Sequence, residues 1–250
     1  MSEAAIRFDG VSKDFPTPDG QGLFRAVDRV TLEIAQGQMV ALLGKTGCGK
    51  STLFNMIAGL IEPSEGAVRV EGRDPFREFD AFRGRIAIVF QNDRLLPWRT
   101  AIGNVELGLE MLGRPPAGRR DIAQKWLARL GLSGHDNDYP HALSGGIRQR
   151  VSIARAFAVD APILLCDEPF SALDEMTAQK LRAEFSALVH ENGKTAVFIT
   201  HSISEALSIG DRIVLLRRPA KVALDEKIPR DMSRETRDDL RARIEAILAE

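Results

Sequence analysis

The chain has 250 residues, 44% of them hydrophobic, 28% charged and 6% aromatic, with a formal net charge of −1. That length and ordinary composition suit one large globular domain, or one domain with a subdomain, rather than a disordered or fibrous chain. The near-neutral charge lacks the basic excess of phosphate-backbone binders and aromatic residues are few, so no nucleic-acid partner is expected.

Cys48 and Cys166 are the only cysteines and fit neither a metal site nor a disulfide framework; both read as small apolar side chains in a reducing compartment. No run approaches the roughly 20 apolar residues that cross a bilayer, and residues 1–10 lack the basic and apolar parts of a signal peptide. A cytoplasmic protein that does not itself span a membrane is expected.

In chain order, Ile6 to Val11 alternates apolar and polar residues, Phe15 precedes Pro16, Pro18 and an Asp19-Gly20 turn, and Ala26 to Ile34 alternates again. These runs predict a small antiparallel sheet. Phe15 is open to two readings, a core residue or a ring that stacks on a purine base.

The apolar run Gln38 to Leu43 then leads into Gly44-Lys45-Thr46-Gly47-Cys48-Gly49-Lys50-Ser51-Thr52 and an apolar-periodic segment ending near Gly59. A glycine-rich loop between a buried strand and a helix is the context of a phosphate-binding P-loop. Its glycines let backbone N–H groups turn inward at the positive end of the helix, Lys50 reaches the β- and γ-phosphates, and the Ser51 hydroxyl can ligate Mg²⁺. The complete spacing outweighs a mere strand-to-helix turn, and a nucleoside triphosphate is the predicted ligand.

Beyond a turn at Glu62 to Gly66 and a short strand at Ala67 to Gly72, Arg85 to Phe90 predicts a buried strand that presents Gln91 at its carboxyl end, where ligands of open α/β sheets bind. From Asn92 to about Asp160 the pattern turns helical, too long for an ordinary connection. It predicts a helical subdomain over 92–160 inserted into one domain, with 1–91 and 161–250 as the core. Pro162 to Cys166 is again apolar and ends in Asp167-Glu168, two carboxylates that are costly at a buried strand's end unless a cation or a reaction needs them. Asp167 would hold Mg²⁺ through water and Glu168 would orient or deprotonate the attacking water. A helix over 175–191 and a strand over 195–200 follow, the strand delivering His201 to a comparable position. Strands near 211–216 and 221–228 precede a final helix whose Leu240, Ile244, Ile247 and Leu248 form one stripe that docks on its own domain.

Leu143-Ser144-Gly145-Gly146 opens another helix, with Ser144 as cap and accessible N–H groups behind it. One P-loop satisfies one triphosphate, so a second anion site implies a second nucleotide or a second subunit. Here the chain resembles the ATP-binding cassette ATPases over nearly its whole length. The resemblance implies an α/β P-loop NTPase core with an N-terminal antiparallel β subdomain and an inserted helical subdomain. It makes Gly44 to Thr52 the Walker A loop, Gln91 the Q-loop residue, Asp167 and Glu168 the Walker B end, Ser171 to Asp174 the D-loop and His201 the switch histidine. It also assigns Phe15 to the adenine, Ser51, Gln91 and Asp167 to Mg²⁺, and Lys50, Gln91, Glu168 and His201 to catalysis. Two copies would close head to tail on ATP, each P-loop facing the other copy's Ser144, Gly145 and Gly146. Ile147 departs from the family's commonest motif, which has Gln there; one side-chain contact to the partner's nucleotide is thereby lost.

The stretch Gln91 to Thr100, with Leu95-Leu96-Pro97-Trp98, and the continuation Arg148-Gln149-Arg150-Val151 are similar to the importer branch for nitrate, sulfonates and taurine. That likeness implies a separate membrane permease docked on residues 91–100, a solute-binding protein behind it, and a peripheral position on the cytoplasmic face of the inner membrane. The rival readings are a soluble cassette ATPase acting on DNA, iron–sulfur assembly or ribosomes, and a nucleotide-binding regulator without turnover.

Overall fold

The computed structural model describes residues 4–171 and 173–249, so Ala172 of the expected D-loop lies outside the described residues. The elements are β1 (Ala4–Pro16), β2 (Leu23–Ala35), β3 (Met39–Leu43), α1 (Lys50–Ile57), β4 (Glu65–Val70), β5 (Ile86–Val89), α2 (Ala101–Met111), α3 (Pro116–Arg129), α4 (Gly145–Ala158), β6 (Ile163–Asp167), α5 (Glu175–Glu191), β7 (Thr195–Thr200), α6 (Ile203–Ile209), β8 (Arg212–Arg217), β9 (Lys221–Lys227) and α7 (Arg234–Ala249). This α/β chain separates into two units, one running up to Phe82 and resuming at Thr195, the other Arg83–Lys194.

In the first unit β1 pairs antiparallel with both β2 and β4, and its alternation buries Ile6 and Phe8 while Arg7 faces out in register with Glu33 and Arg69. β3 and β7 are buried along their whole length, which is why both are continuous apolar runs rather than alternating ones. β3 lies parallel between β7 and β8, and β9 closes that edge antiparallel to β8. Leu43 sits level with Thr200 and with Leu215. The loop that begins at Gly44 and the turn that carries His201 therefore leave the same end of the sheet, the carboxyl end where α/β sheets bind ligands. α7 docks on its own unit through buried Leu240 and Ile244, and Arg237 Nη1 donates to the Leu207 carbonyl at 2.8 Å.

In the second unit β5 and β6 pair in parallel with Val89 opposite Cys166, so Gln91 and Asp167-Glu168 emerge at one end. Trp126, Phe157, Phe185 and Phe170 form a chain of ring contacts with centroids 5.0, 5.8 and 5.7 Å apart, joining α3, α4, α5 and the turn after Glu168. Each such contact adds about 0.5–1.5 kcal/mol beyond its buried area. α2 crosses α4 closely because Gly108 has no Cβ; one built there would stand 2.4 Å from Val159 Cγ2.

One sequence expectation is corrected, and one helix adds to those expected. Residues 92–100 are irregular and the helix begins only at Ala101, because buried Asn104 bonds the backbone of Leu96, Arg99 and Thr100 and holds that segment out of helical form. The seven-residue α6 was not anticipated; Ser202 caps it by accepting the Glu205 N–H.

Candidate functional site

In the first unit the loop after β3 has the geometry of a phosphate cradle. Gly47 and Gly49 adopt φ of 76° and 107°, a region costly for any residue with a Cβ. At Gly49 a Cβ would also lie 2.6 Å from both the Ala26 carbonyl and Ala220 Cβ, and at Gly44 2.7 Å from Cys48 Sγ and the Leu216 carbonyl, so glycine is needed for contact as well as for conformation. Lys50 is buried at the first turn of α1, its ammonium donating to the Gly44 carbonyl at 2.7 Å and the Lys45 carbonyl at 3.0 Å. Lys45, Thr46, Gly47 and Ser51 are exposed and Thr52 is half-buried. A buried ammonium and open glycine backbone at a helix start suit a polyphosphate. Cys48 points inward, and burial pushes its thiol pKa up against the opposing charge of Lys50.

Phe15 is half-buried, paired with Phe24 across the hairpin, with Lys13 Nζ 5.3 Å from its ring centroid. A partly open ring with a cation on it meets neither extreme of the two readings. His201 is exposed directly after β7. The turn around it is fixed by Glu205, a buried carboxylate that accepts the Thr200 hydroxyl at 2.6 Å, while Thr200 Oγ1 in turn accepts the Ser202 N–H at 2.9 Å. Glu205 escaped the sequence reading, although an acid four residues after a strand-end histidine was a usable signal.

In the second unit Gln91 and Glu168 are brought together, the amide Nε2 donating to the carboxylate Oε2 at 3.3 Å although 77 residues separate them. Glu168 holds φ of 44°, rare for a residue with a side chain, and its carbonyl accepts from both Ser171 Oγ at 3.0 Å and Ser171 N–H at 3.3 Å. Asp167 ends β6 half-buried beside it. Its carboxylate is a hard oxygen donor, a type that suits magnesium rather than a soft metal.

Ser144 caps α4, its Oγ accepting the Ile147 N–H at 3.3 Å. Ser144, Gly145, Gly146, Ile147, Leu173, Asp174 and Thr177 are among the residues lining a surface depression of about 370 Å³. A Cβ on Gly146 would come within 3.3 Å of Thr177 Cγ2. Asp174 caps α5, and the Thr177 N–H it accepts at 3.0 Å draws its carboxyl pKa below the ordinary value. The α4 N-terminus thus presents a glycine-walled surface of mixed polar and apolar character within its own unit.

Residues 27–171 match the ABC transporter family model. An uncharacterized ABC transporter ATP-binding protein of Methanocaldococcus jannaschii is 42% identical over 83% of this chain and 78% of its own length. The chain belongs to the ABC transporter family. An aliphatic sulfonates import ATP-binding protein of Burkholderia lata is 43% identical to this cassette, over 94% of it and 67% of the relative. A taurine import ATP-binding protein of Yersinia pestis is 45% identical over 76% of the cassette and 73% of its own length. Among solved structures, the ATP-binding cassette MJ0796, in a dimeric post-hydrolysis state bound to ADP and Pi, superposes with a TM-score of 0.77 at 35% identity, covering 90% of this chain and 99% of that one. This cassette is accordingly an ATP-binding ATPase with the P-loop α/β fold. Among the described residues, no helix is long and apolar enough to cross a membrane.

Proposed function

We propose that this cassette is the energy-coupling subunit of an importer for a small sulfonate such as taurine, working as a closed pair of identical copies on a separate permease. The observation that carries this reading is its 43–45% identity to sulfonate and taurine import ATP-binding proteins. The segment 91–100 supports it, since exposed Trp98 offers an anchor for a short permease helix. The cassette would sit peripherally on the cytoplasmic face of the inner membrane, with a solute-binding protein delivering cargo to the far side of the permease. Residues 92–160 serve as the helical subdomain that bears the partner-facing Ser144-Gly145-Gly146.

Hydrolysis then follows from charge and position. Lys50 exchanges its two loop carbonyls for the β- and γ-phosphates, the backbone of Gly44 to Thr52 wraps the same oxygens, and Phe15 stacks on the adenine. Ser51, Gln91 and Asp167 would hold Mg²⁺, which neutralises charge on the β- and γ-oxygens when bound. Glu168, oriented by the Gln91 amide, accepts a proton from the attacking water, and His201 donates to the γ-phosphate as charge builds. Ser144, Gly145, Gly146 and Asp174 complete the site of the second copy.

Glu168→Gln is expected to keep ATP affinity, lower hydrolysis by about 10²–10⁴-fold and accumulate an ATP-bound dimer. Tagged Glu168→Gln protein with ATP and Mg²⁺, used as bait in detergent-solubilised native membranes, tests the assignment. Recovery of a multi-span permease, and sulfonate binding by its solute-binding protein, supports import. Recovery of only soluble or nucleic-acid-bound partners sinks it.

A further inference from the structure

The segment between β5 and α2 has no regular structure, yet side chains from two helices bond it along most of its length. From α4, Arg148 Nε donates to Asp93 Oδ2 at 2.9 Å and its Nη1 to the Leu143 carbonyl at 2.7 Å. Two turns further along the same face of α4, Arg155 Nη1 donates to the Arg94 carbonyl at 2.9 Å and Nη2 to the Asp93 carbonyl at 2.7 Å. Gln149 Nε2 reaches the Phe90 carbonyl at 3.4 Å, and the Arg94 guanidinium lies 4.6 Å from the Phe90 ring centroid. From α2, Asn104 accepts the Leu96 N–H and donates to the carbonyls of Leu96, Arg99 and Thr100. The tip of the segment is left open, with Trp98 71% exposed.

Irregular backbone ordinarily opens easily, because few bonds hold it. Here its polar groups are claimed by helix side chains, so the segment is bound to move with α4. The guanidinium of Arg155 bridges two consecutive carbonyls at once; a methionine in its place keeps an apolar stem and removes both donors. Burial lowers the Arg155 pKa against the opposing charge of Asp93, a sign that the guanidinium sits among protein groups rather than in water.

We propose that Arg155 is a positioning residue that relays engagement of a second copy's nucleotide at Ser144 to Gly146 into displacement of residues 93–100, the face offered to the permease. The relay rests on the reading of this cassette as a dimer closed by ATP. Its two ends lie on one helix and one segment of a single unit.

The test is hydrogen exchange by mass spectrometry on the 93–100 peptide of full-length Glu168→Gln protein, with and without ATP and Mg²⁺, while gel filtration reports the dimer. ATP is expected to slow exchange there by about tenfold. In Arg155→Met on the same background the dimer still forms and the ATP-dependent slowing disappears. Should Arg155→Met fail to fold, Arg148→Met takes its place, with the slowing at least halved. Slowing equal to the reference in a folded variant overturns the relay. So does faster exchange by the same factor with and without ATP, which marks a purely structural role, and so does a reference dimer whose 93–100 exchange ignores ATP. A reference that forms no dimer with ATP removes the dimer reading itself, and the relay with it.

Discussion

At the scale of single residues, the site is built from groups held in conformations or surroundings they would not choose alone. Glu168 sits at φ 44°, a strain of order 1 kcal/mol or more that persists only where neighbours over-determine it; the Ser171 bonds to its carbonyl and the Gln91 amide on its carboxylate do so. Glu205 is a similar case, a carboxylate 5% exposed whose Oε2 takes the Thr200 hydroxyl at 2.6 Å. Thr200→Val keeps the shape of the side chain but removes that donor and also the acceptor of the Ser202 N–H. Leaving buried polar groups short of partners costs about 1–3 kcal/mol. The expected outcome is a loss of that size in urea unfolding, together with a fall in kcat at nearly constant KM for ATP, because the loosened turn carries His201 and not the P-loop. A loss of stability with kcat intact would confine Glu205 and Thr200 to the fold.

At the scale of elements, α4 carries a cap that is also the proposed contact to the second copy, and one pair of substitutions separates the two duties. Ser144→Ala removes the acceptor of the Ile147 N–H and should cost about 1 kcal/mol. Ser144→Asp keeps an acceptor and adds a charge that suits the helix dipole, so thermal stability is expected to hold or rise. The same charge stands where a partner's triphosphate would lie, and ATP-driven dimerisation measured by gel filtration should be lost. Retained dimerisation would leave Ser144 as a cap alone. Elements of this kind were legible in the sequence where burial writes a plain pattern. β6 and β7 are buried almost throughout and read as apolar runs. Residues 92–100 were misread because their conformation is set by bonds to Asn104 and Arg155, which leave no trace in local periodicity. The P-loop was legible because its glycines answer a local backbone demand. The Gln91 to Glu168 bond was not, since it exists only once β5 and β6 are in parallel register.

At the scale of the whole molecule, a net charge of −1 places little long-range repulsion between two copies, so closure is governed by what the facing surfaces and the nucleotide contribute. On the α4 surface the one residue that departs from the family pattern is Ile147, half-buried and lining the same depression as Ser144 and Thr177. Its backbone N–H is already used by the cap, so a change of side chain leaves the Ser144 contact standing. Ile147→Gln adds a donor and an acceptor at the rim where a second copy's nucleotide is proposed to sit. One added hydrogen bond is worth about 0.5–1.5 kcal/mol, which is roughly two- to tenfold in an association constant. Hydrolysis by a protein active only as a pair rises more steeply than linearly with its concentration, and the midpoint of that rise reports the association. Ile147→Gln is therefore expected to shift the midpoint to lower protein concentration by that factor while the plateau kcat and the unfolding midpoint stay put. A midpoint that does not move would show that no side chain at 147 touches the neighbouring copy's ligand, and the closed pair would then rest on the Ser144 hydroxyl and the backbone of Gly145 and Gly146 alone.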